Sequence, residues 1–149
     1  YPNRRKCSCT DSMIKKYQNK LSGPLLDRID IIVEVPGVHF DDLRTRAEAE
    51  PSARIKERVD AARVIQNHRY GEHSSMCNAR MGPNELRFHC QIDDDGADLM
   101  KMAFDTFGLT ARSYDRILKV ARTIADLDGS RTITPEHIAE AVRYRTVEF

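Results

Sequence analysis

The stretch "TARSYDRILKVARTIADL", residues 110–127, has the pattern of a long amphipathic helix. Its apolar side chains recur at spacings of three and four residues, which places them along one side of an α-helix. Thr110 can cap the first turn because its hydroxyl accepts a hydrogen bond from a main-chain N–H of that turn. A helix that is apolar on one side has to pack against other elements. The residues predicted to be buried are Tyr114, Ile117, Leu118, Ala121, Ile124 and Ala125.

The helical period continues on both sides of this stretch, so we predict one all-helical domain over residues 52–149. Asp93 or Asp94 is suited to cap one of its helices, and Thr134-Pro135 is typical of the start of the last one. The predicted helices span residues 53–69, 83–89, 94–107, 111–127 and 135–145. Further residues predicted to face inward are Ile55, Val59, Ala62, Ile65 or Gln66, Leu86, Leu99, Met102, Ala103, Phe107, Ile138, Ala141 and Val142.

The segment before this domain follows a different pattern. A short helix is predicted over residues 11–20, and the β-branched, apolar run "IDIIVEV", residues 29–35, is typical of a buried parallel strand. A single strand has no partner in this chain, so we expect its sheet to lie upstream. Residues 1–36 are then the end of another domain and are loosely packed here. The polar residues 37–51 are predicted to be a linker.

Bulk composition excludes some classes of protein. The net charge is +1 at pH 7, so no overall field attracts nucleic acid or a membrane surface. No apolar run approaches the length of a bilayer span. The four cysteines are too few to indicate a disulfide framework, so we expect a reducing, cytoplasmic location.

One arginine, Arg28, lies between two aspartates in "LLDRID", residues 25–30. It has two interpretations. In the first, Arg28 forms an exposed ion pair with Asp27 or Asp30, which contributes little to stability. In the second, it is held at the rim of a sheet so that it reaches a group outside its own domain.

A basic stripe follows the helix over residues 111–127. Arg112, Arg116, Lys119 and then Arg122 or Thr123 recur at helical spacing, so their side chains share one side. A solvated basic surface is one interpretation. The position of Arg112 in the first helical turn favours another, a shared anion such as a phosphate, because the helix N-terminus already attracts negative charge.

The sequence holds no complete catalytic or metal centre. Cys7 and Cys9 form a C-x-C pair, which is half of a possible zinc site, and Cys77 and Cys90 are interpreted as ordinary small residues at helix edges. There is no G-x-x-x-x-G-K-[ST] phosphate loop, and no strand ends in the Asp-Glu pair that would hold a magnesium ion. We therefore expect no ATP hydrolysis by this chain alone.

Three stretches together resemble the C-terminal third of the magnesium-chelatase-like, ComM/YifB-type AAA+ ATPases. They are "CSCTDSMIKKYQNKLSGPLLDRIDIIVEVP" (7–36), "NARM" (78–81) and "LTARSYDRILKVARTIADLDGSRTITPEHIAEAVRYR" (109–145). The resemblance implies a mainly α fold: a helical AAA+ lid preceded by a fragment of the αβα core with one orphan strand. It also implies a homo-hexamer that uses ATP and Mg²⁺ and packs this region against its own upstream core.

Individual roles follow from the same resemblance. Arg28 matches the arginine finger that enters the ATP site of a neighbouring subunit. Arg112 matches the sensor-2 arginine, which reaches the γ-phosphate from the lid of the subunit that binds the nucleotide, and Arg116 is a second candidate for that role. The family's cysteine-rich insert begins with an earlier Cys-Pro-Cys-Gly, so Cys7 and Cys9 would supply only part of any zinc site.

The target of such an ATPase stays open between DNA remodelling and metal insertion into a porphyrin. An alternative is a free-standing helical DNA-binding module, because the last two helices are spaced like a helix-turn-helix. Glu136 and Glu140 in the supposed recognition helix argue against it. A further alternative, a zinc-stabilised structural module, would unfold on chelation.

Overall fold

The computed structural model describes residues 8–35, 37, 49–71 and 74–146. Within these ranges the chain is helical, and no β-strand occurs. A short 3₁₀ turn, Asn78–Arg80, lies between the third and fourth helices. The helices are α1 (Asp11–Gln18), α2 (Gly23–Leu26), α3 (Ser52–Tyr70), α4 (Pro83–His89), α5 (Asp94–Phe107), α6 (Ala111–Leu127) and α7 (Pro135–Arg143). The predicted mainly α fold is confirmed.

Helix α6 is the centre of the domain. It packs against α7, α3, α4 and the 3₁₀ turn, and α5 covers the other side of α7. The apolar stripe that the sequence predicts on α6 forms most of the core, although Tyr114, predicted to be buried, is 36% exposed. Fully buried side chains from α6 and α7 meet there: Ile117, Ala121, Ala125, Ile138 and Ala141. Burying an isoleucine side chain contributes about 1.5–3 kcal/mol, so Ile117 and Ile138 stabilise this contact most.

Most predicted helix ends agree with the structure to within one residue, but α1 ends at Gln18 rather than at residue 20, and α7 ends at Arg143 rather than at residue 145. The Asp93 carboxylate accepts a hydrogen bond from the main-chain N–H of Gly96 at 2.8 Å, and Thr110 Oγ1 accepts one from Ser113 at 3.3 Å. Gly108 ends α5 in a left-handed conformation with φ of 59°, which favours glycine. Each of these contacts satisfies a backbone group that the helix itself leaves without a partner.

The inward faces predicted for α3 and α5 are also wrong in part. On α5, Ala103 is buried as predicted, but Met102 and Phe107 are 60% and 49% exposed, and Met100, which is 3% exposed, faces inward instead. On α3, Ile55 and Val59 are exposed and Ala62 and Gln66 are buried. Residues 52–61 are all exposed, so only the second half of α3 packs against the rest of the domain.

The predicted strand over residues 29–35 is not seen in the described part of the chain. Residues 31–35 have no regular secondary structure, and Ile31, Val33 and Val35 are exposed. A β-ladder needs a second strand, and instead the N–H of Ile32 donates to the carbonyl of Tyr144 at 2.8 Å. That the partner strands lie upstream stays a prediction, as do the limits of the linker over residues 37–51, most of which lies outside the described residues.

Candidate functional site

Arg28 follows α2 in a short turn of backbone. The N–H of Arg28 donates to the carbonyl of Leu25 at 3.0 Å, and the N–H of Ile29 donates to that of Leu26 at 3.1 Å. The Arg28 side chain is exposed, and its guanidinium makes no hydrogen bond or ion pair within the described residues. The local ion pair considered from the sequence is therefore not present, because both neighbouring aspartates have other partners.

Asp30 is paired with Arg116 of α6. The same guanidinium nitrogen of Arg116, Nη1, also donates to the main-chain carbonyl of Arg28 at 3.0 Å. One arginine of the helical domain thus holds both the backbone of Arg28 and the carboxylate two residues later. Arg116 is engaged within the chain, whereas Arg28 itself points its guanidinium elsewhere.

A second arginine of the helical domain holds the next carbonyl. Arg145, two residues after the end of α7, has a side chain that is only 5% exposed. Its Nη1 donates to the carbonyl of Ile29, and its Nη2 donates to Ser113 Oγ at 3.1 Å and lies 3.6 Å from the Asp27 carboxylate. Burial lowers the pKa of Arg145, and the Asp27 charge acts in the opposite direction. The carbonyls of Arg28 and Ile29 are therefore both bound by arginines of the helical domain.

A small charged pocket lies beside this contact. It has a volume of about 270 Å³ and is lined by Asp30, Ala79, Arg112, Asp115, Arg116 and Lys119. Arg112 is exposed in the first turn of α6 and makes no ion pair within the described residues. The unpaired arginine and the helix N-terminus both favour a bound anion there.

The basic stripe is shorter than the sequence indicates. Arg122 is 3% exposed and belongs to the interior: its guanidinium donates to Asp126, to the carbonyl of Arg131 at 2.9 Å and to that of Ser130 at 2.6 Å. Thr123 donates to the carbonyl of Lys119 at 2.8 Å. The basic stripe on α6 therefore consists of Arg112, which is exposed, and of Arg116 and Lys119, which are half-buried.

A buried polar network fixes the 3₁₀ turn that carries Ala79. Asp126, which is 1% exposed, accepts hydrogen bonds at 2.7 Å from Arg69 Nη1 and from Asn78 Nδ2. The Tyr70 hydroxyl donates to Asn78 Oδ1 at 2.9 Å. The hydrogen bond to Asp126 raises the pKa of Arg69. Sequence reasoning missed this network, although Asn78 begins the "NARM" motif.

The cysteines do not form a metal centre in the described residues. Cys7 lies outside them, Cys9 is exposed, and no group of three or more His, Cys, Asp or Glu side chains suited to a metal ion occurs there. Zinc takes four ligands in structural sites, so the C-x-C pair alone does not fit it. Cys90 is buried, and the loss of solvation raises the pKa of its thiol to about 11.

Comparison with known proteins identifies the family. Residues 49–145 match the family described as magnesium chelatase, subunit ChlI C-terminal, and residues 1–43 match magnesium chelatase, subunit ChlI. The chain belongs to the magnesium chelatase ChlI C-terminal family. The resemblance drawn from the sequence is thereby confirmed at the level of the family.

Individual relatives are similar over most of the chain. Competence protein ComM of Haemophilus influenzae is 41% identical over 135 residues, which cover 90% of this chain and 26% of that protein. The uncharacterized protein YifB of Escherichia coli is 40% identical over 141 residues, 94% of this chain and 27% of that protein. The uncharacterized protein Rv2897c of Mycobacterium tuberculosis is 30% identical, over 93% of this chain and 27% of that protein. The chain thus spans about a quarter of the length of the curated relatives it matches.

Within the described residues, none of the helices has both the length and the apolar character that a bilayer crossing requires.

Proposed function

We propose that this chain is the helical C-terminal region of a magnesium-chelatase-type AAA+ ATPase, and that Arg28 and Arg112 contribute to ATP hydrolysis in a cytoplasmic homo-hexamer. One observation carries the proposal. The main chain around Arg28 is held at two successive carbonyls by Arg116 and Arg145, whereas the Arg28 guanidinium makes no hydrogen bond or ion pair within the described residues. A fixed backbone and an unpaired charge are what a residue needs to act on a group outside its own chain.

The role proposed for Arg28 is that of an arginine finger. Phosphoryl transfer is catalysed largely by positioning and by charge placed near the γ-phosphate, and an arginine supplied from a neighbouring subunit stabilises the charge of the transition state. A magnesium ion bound with the nucleotide would neutralise further charge on the phosphates. The residues that bind the ion and the nucleotide are proposed to lie in the upstream core.

Arg112 is the better candidate for the sensor-2 arginine. Both Arg112 and Arg116 fit the family pattern, but Arg116 is occupied by Asp30 and by the carbonyl of Arg28. Arg112 is exposed, borders the charged pocket and stands at the helix N-terminus. We therefore assign Arg112 to the phosphate and Arg116 to the support of Arg28.

The two arginines are proposed to serve the same nucleotide. Asp30, two residues after Arg28, borders the pocket together with Arg112, so the two segments face one side of the chain. If Arg28 enters the site of a neighbouring subunit, Arg112 then approaches that same site. This differs from a sensor that acts on the nucleotide of its own subunit, and the two arrangements are separable by mixing mutant subunits.

DNA is the proposed target of the complete ATPase. The relative named as a competence protein supports this choice over metal insertion. Direct reading of duplex DNA by the last helix is disfavoured, because Glu136 is exposed near its start and a hydrogen bond from Thr134 lowers the pKa of that carboxyl. A carboxylate that stays charged at the start of a recognition helix would repel the phosphate backbone.

The experiment that tests the proposal is a comparison of Arg28→Ala with Arg28→Lys in the complete protein, after the hexamer has been confirmed. We expect Arg28→Ala to lower kcat for ATP by about 10³–10⁵ and to leave nucleotide binding nearly intact. Arg28→Lys should recover only part of the loss, because an ammonium lacks the planar fork of a guanidinium. Parental kcat in Arg28→Ala would exclude the role of Arg28.

A further inference from the structure

The Arg145 guanidinium binds two points of the chain at once. Nη1 donates to the carbonyl of Ile29, the residue after Arg28, and Nη2 donates to Ser113 Oγ at 3.1 Å, the residue after Arg112. We infer that Arg145 is a positioning residue that sets the spacing between Arg28 and Arg112, so that both arginines reach one nucleotide. The inference rests on the proposed function of those two residues.

Helices hold Ser113 and the backbone of Arg145, whereas Ile29, at the other end of the bridge, lies outside any helix. Ser113 is 2% exposed in the first turn of α6, and its hydroxyl lies 3.2 Å from the hydroxyl of the capping residue Thr110. On the other side, the N–H groups of Arg145 and Thr146 both donate to the carbonyl of Val142 in α7, at 2.9 and 3.1 Å. A displacement of the guanidinium would therefore move the Arg28 segment and would leave the helices in place.

A second contact aligns the same segment. The N–H of Ile32 donates to the carbonyl of Tyr144 at 2.8 Å, next to Arg145 in the chain. The charges also alternate across the contact, since Asp27 faces Arg145 and Asp30 faces Arg116. The two arginines repel each other, and the two carboxylates offset that repulsion. The segment is thus held in one register along the edge of the helical domain.

Stability alone does not account for an arginine at this place. Its Nε is buried and has no hydrogen-bond partner within the described residues. A buried donor without a partner lowers stability, and apolar residues can often replace buried charges without loss of folding. What an apolar side chain cannot do is bind a carbonyl and a hydroxyl simultaneously, which is the specific property of the guanidinium fork.

The first arm of the test uses the 149-residue chain. Hydrogen exchange is measured for residues 27–32 and for α6 in Arg145→Met, in Arg145→Lys and in the matched control Arg143→Met, an exposed arginine at the end of α7. We expect exchange of residues 27–32 to accelerate at least tenfold in Arg145→Met and less in Arg145→Lys, with α6 unchanged. Arg143→Met should match the parent chain.

The second arm measures ATP hydrolysis in the complete hexamer. A misplacement of about 1 Å costs up to about 100-fold in rate, so kcat of Arg145→Met should fall by about 10- to 100-fold with KM for ATP nearly unchanged. Asp27→Ala weakens the same contact from the opposite side and should lower kcat in the same direction. If Arg145→Met does not fold, Asp27→Ala tests the inference in its place.

The outcomes separate the inference from the function on which it rests. Faster exchange of residues 27–32 with parental kcat would show that the contact has no positioning role and would overturn the inference. Unchanged exchange would overturn it as well. If Arg28→Ala keeps parental kcat, the proposed function fails, whatever the exchange rates of the Arg145 variants are.

Discussion

Arg116 and Arg28, which lie 88 residues apart in sequence, are joined by a hydrogen bond of 3.0 Å from the guanidinium of the first to the main-chain carbonyl of the second. Two arginines would ordinarily repel each other at close range. Here Arg116 contributes its guanidinium and Arg28 its main-chain carbonyl, and the ion pair with Asp30 offsets the charge of Arg116. Arg116 thus supports the backbone of Arg28, whose own guanidinium is exposed.

We predict that Arg116→Met lowers kcat for ATP in the complete protein by about 10- to 100-fold without weakening nucleotide binding, because the Arg28 segment loses one of its two supports. Steady-state kinetics and nucleotide titration measure the two quantities. Arg54→Met, at an exposed position of α3, is the control and should behave like the parent protein. A large rise in the dissociation constant with little change in kcat would instead make Arg116 a phosphate ligand.

The buried carboxylate of Asp126 provides a test of the fold. Arg69 and Arg122 both donate to it, so Asp126→Ala leaves two largely buried guanidinium groups without the carboxylate that offsets their charge. We expect a loss of about 3–5 kcal/mol in the free energy of unfolding, measured by urea denaturation of this chain. Asp105→Ala, at an exposed site of α5, should change stability by less than about 0.5 kcal/mol. Equal midpoints for the two variants would contradict the structural role of Asp126.

The buried thiol of Cys90 should make the free energy of unfolding depend on pH. Burial raises the pKa of its thiol from 9.0 to about 11. Below pH 9 the thiol is protonated in both the folded and the unfolded chain, so it has no effect on the pH dependence. Between pH 9 and 11 only the unfolded chain releases the proton, and the folded state should lose about 2–3 kcal/mol of stability.

The measurement for this prediction is the free energy of unfolding of the parent chain and of Cys90→Ala across that pH range. The parent curve should fall more steeply with rising pH than the variant curve, because alanine has no proton to lose. Parallel curves would show that the Cys90 thiol titrates normally in the folded state.

The helices could be predicted from the local pattern of apolar residues. The candidate site could not, because it depends on contacts between distant parts of the chain. Ile117, Ala121 and Ile138 were predictable because periodicity alone decides which side of a helix is apolar. Met102 was predicted to be buried in place of Met100, because both are apolar and only packing against α7 determines the rotation of α5. The strand over residues 29–35 was predicted from composition, but a strand exists only with a partner to pair with.

The arginines of the candidate site also could not be told apart from the sequence. Sequence could not separate Arg112 from Arg116, since both fit the stripe on α6, and only the contact with Asp30 distinguishes them. Nothing in the sequence distinguishes Arg145 from Arg143, yet one is buried against the Arg28 segment and the other is exposed. The sequence offered Arg122 or Thr123 for the basic stripe, and the burial of Arg122 depends on carbonyls of the turn that follows α6.

The central claim, that Arg28 and Arg112 act together on the nucleotide of a neighbouring subunit, is tested most directly by mixing inactive subunits of the complete protein. Arg28→Ala subunits, and separately Arg112→Ala subunits, are combined with subunits that lack the phosphate-loop lysine, and ATP hydrolysis is measured. A lysine-deficient subunit still carries both arginines and can donate them to a neighbour whose phosphate loop is intact. We predict that both mixtures regain activity. The control mixes a subunit that carries both defects with a subunit that carries one of them, and it should stay inactive because no site then has both the lysine and the arginine. Recovery with Arg28→Ala alone would show that Arg112 serves its own subunit, and recovery with neither would contradict the claim.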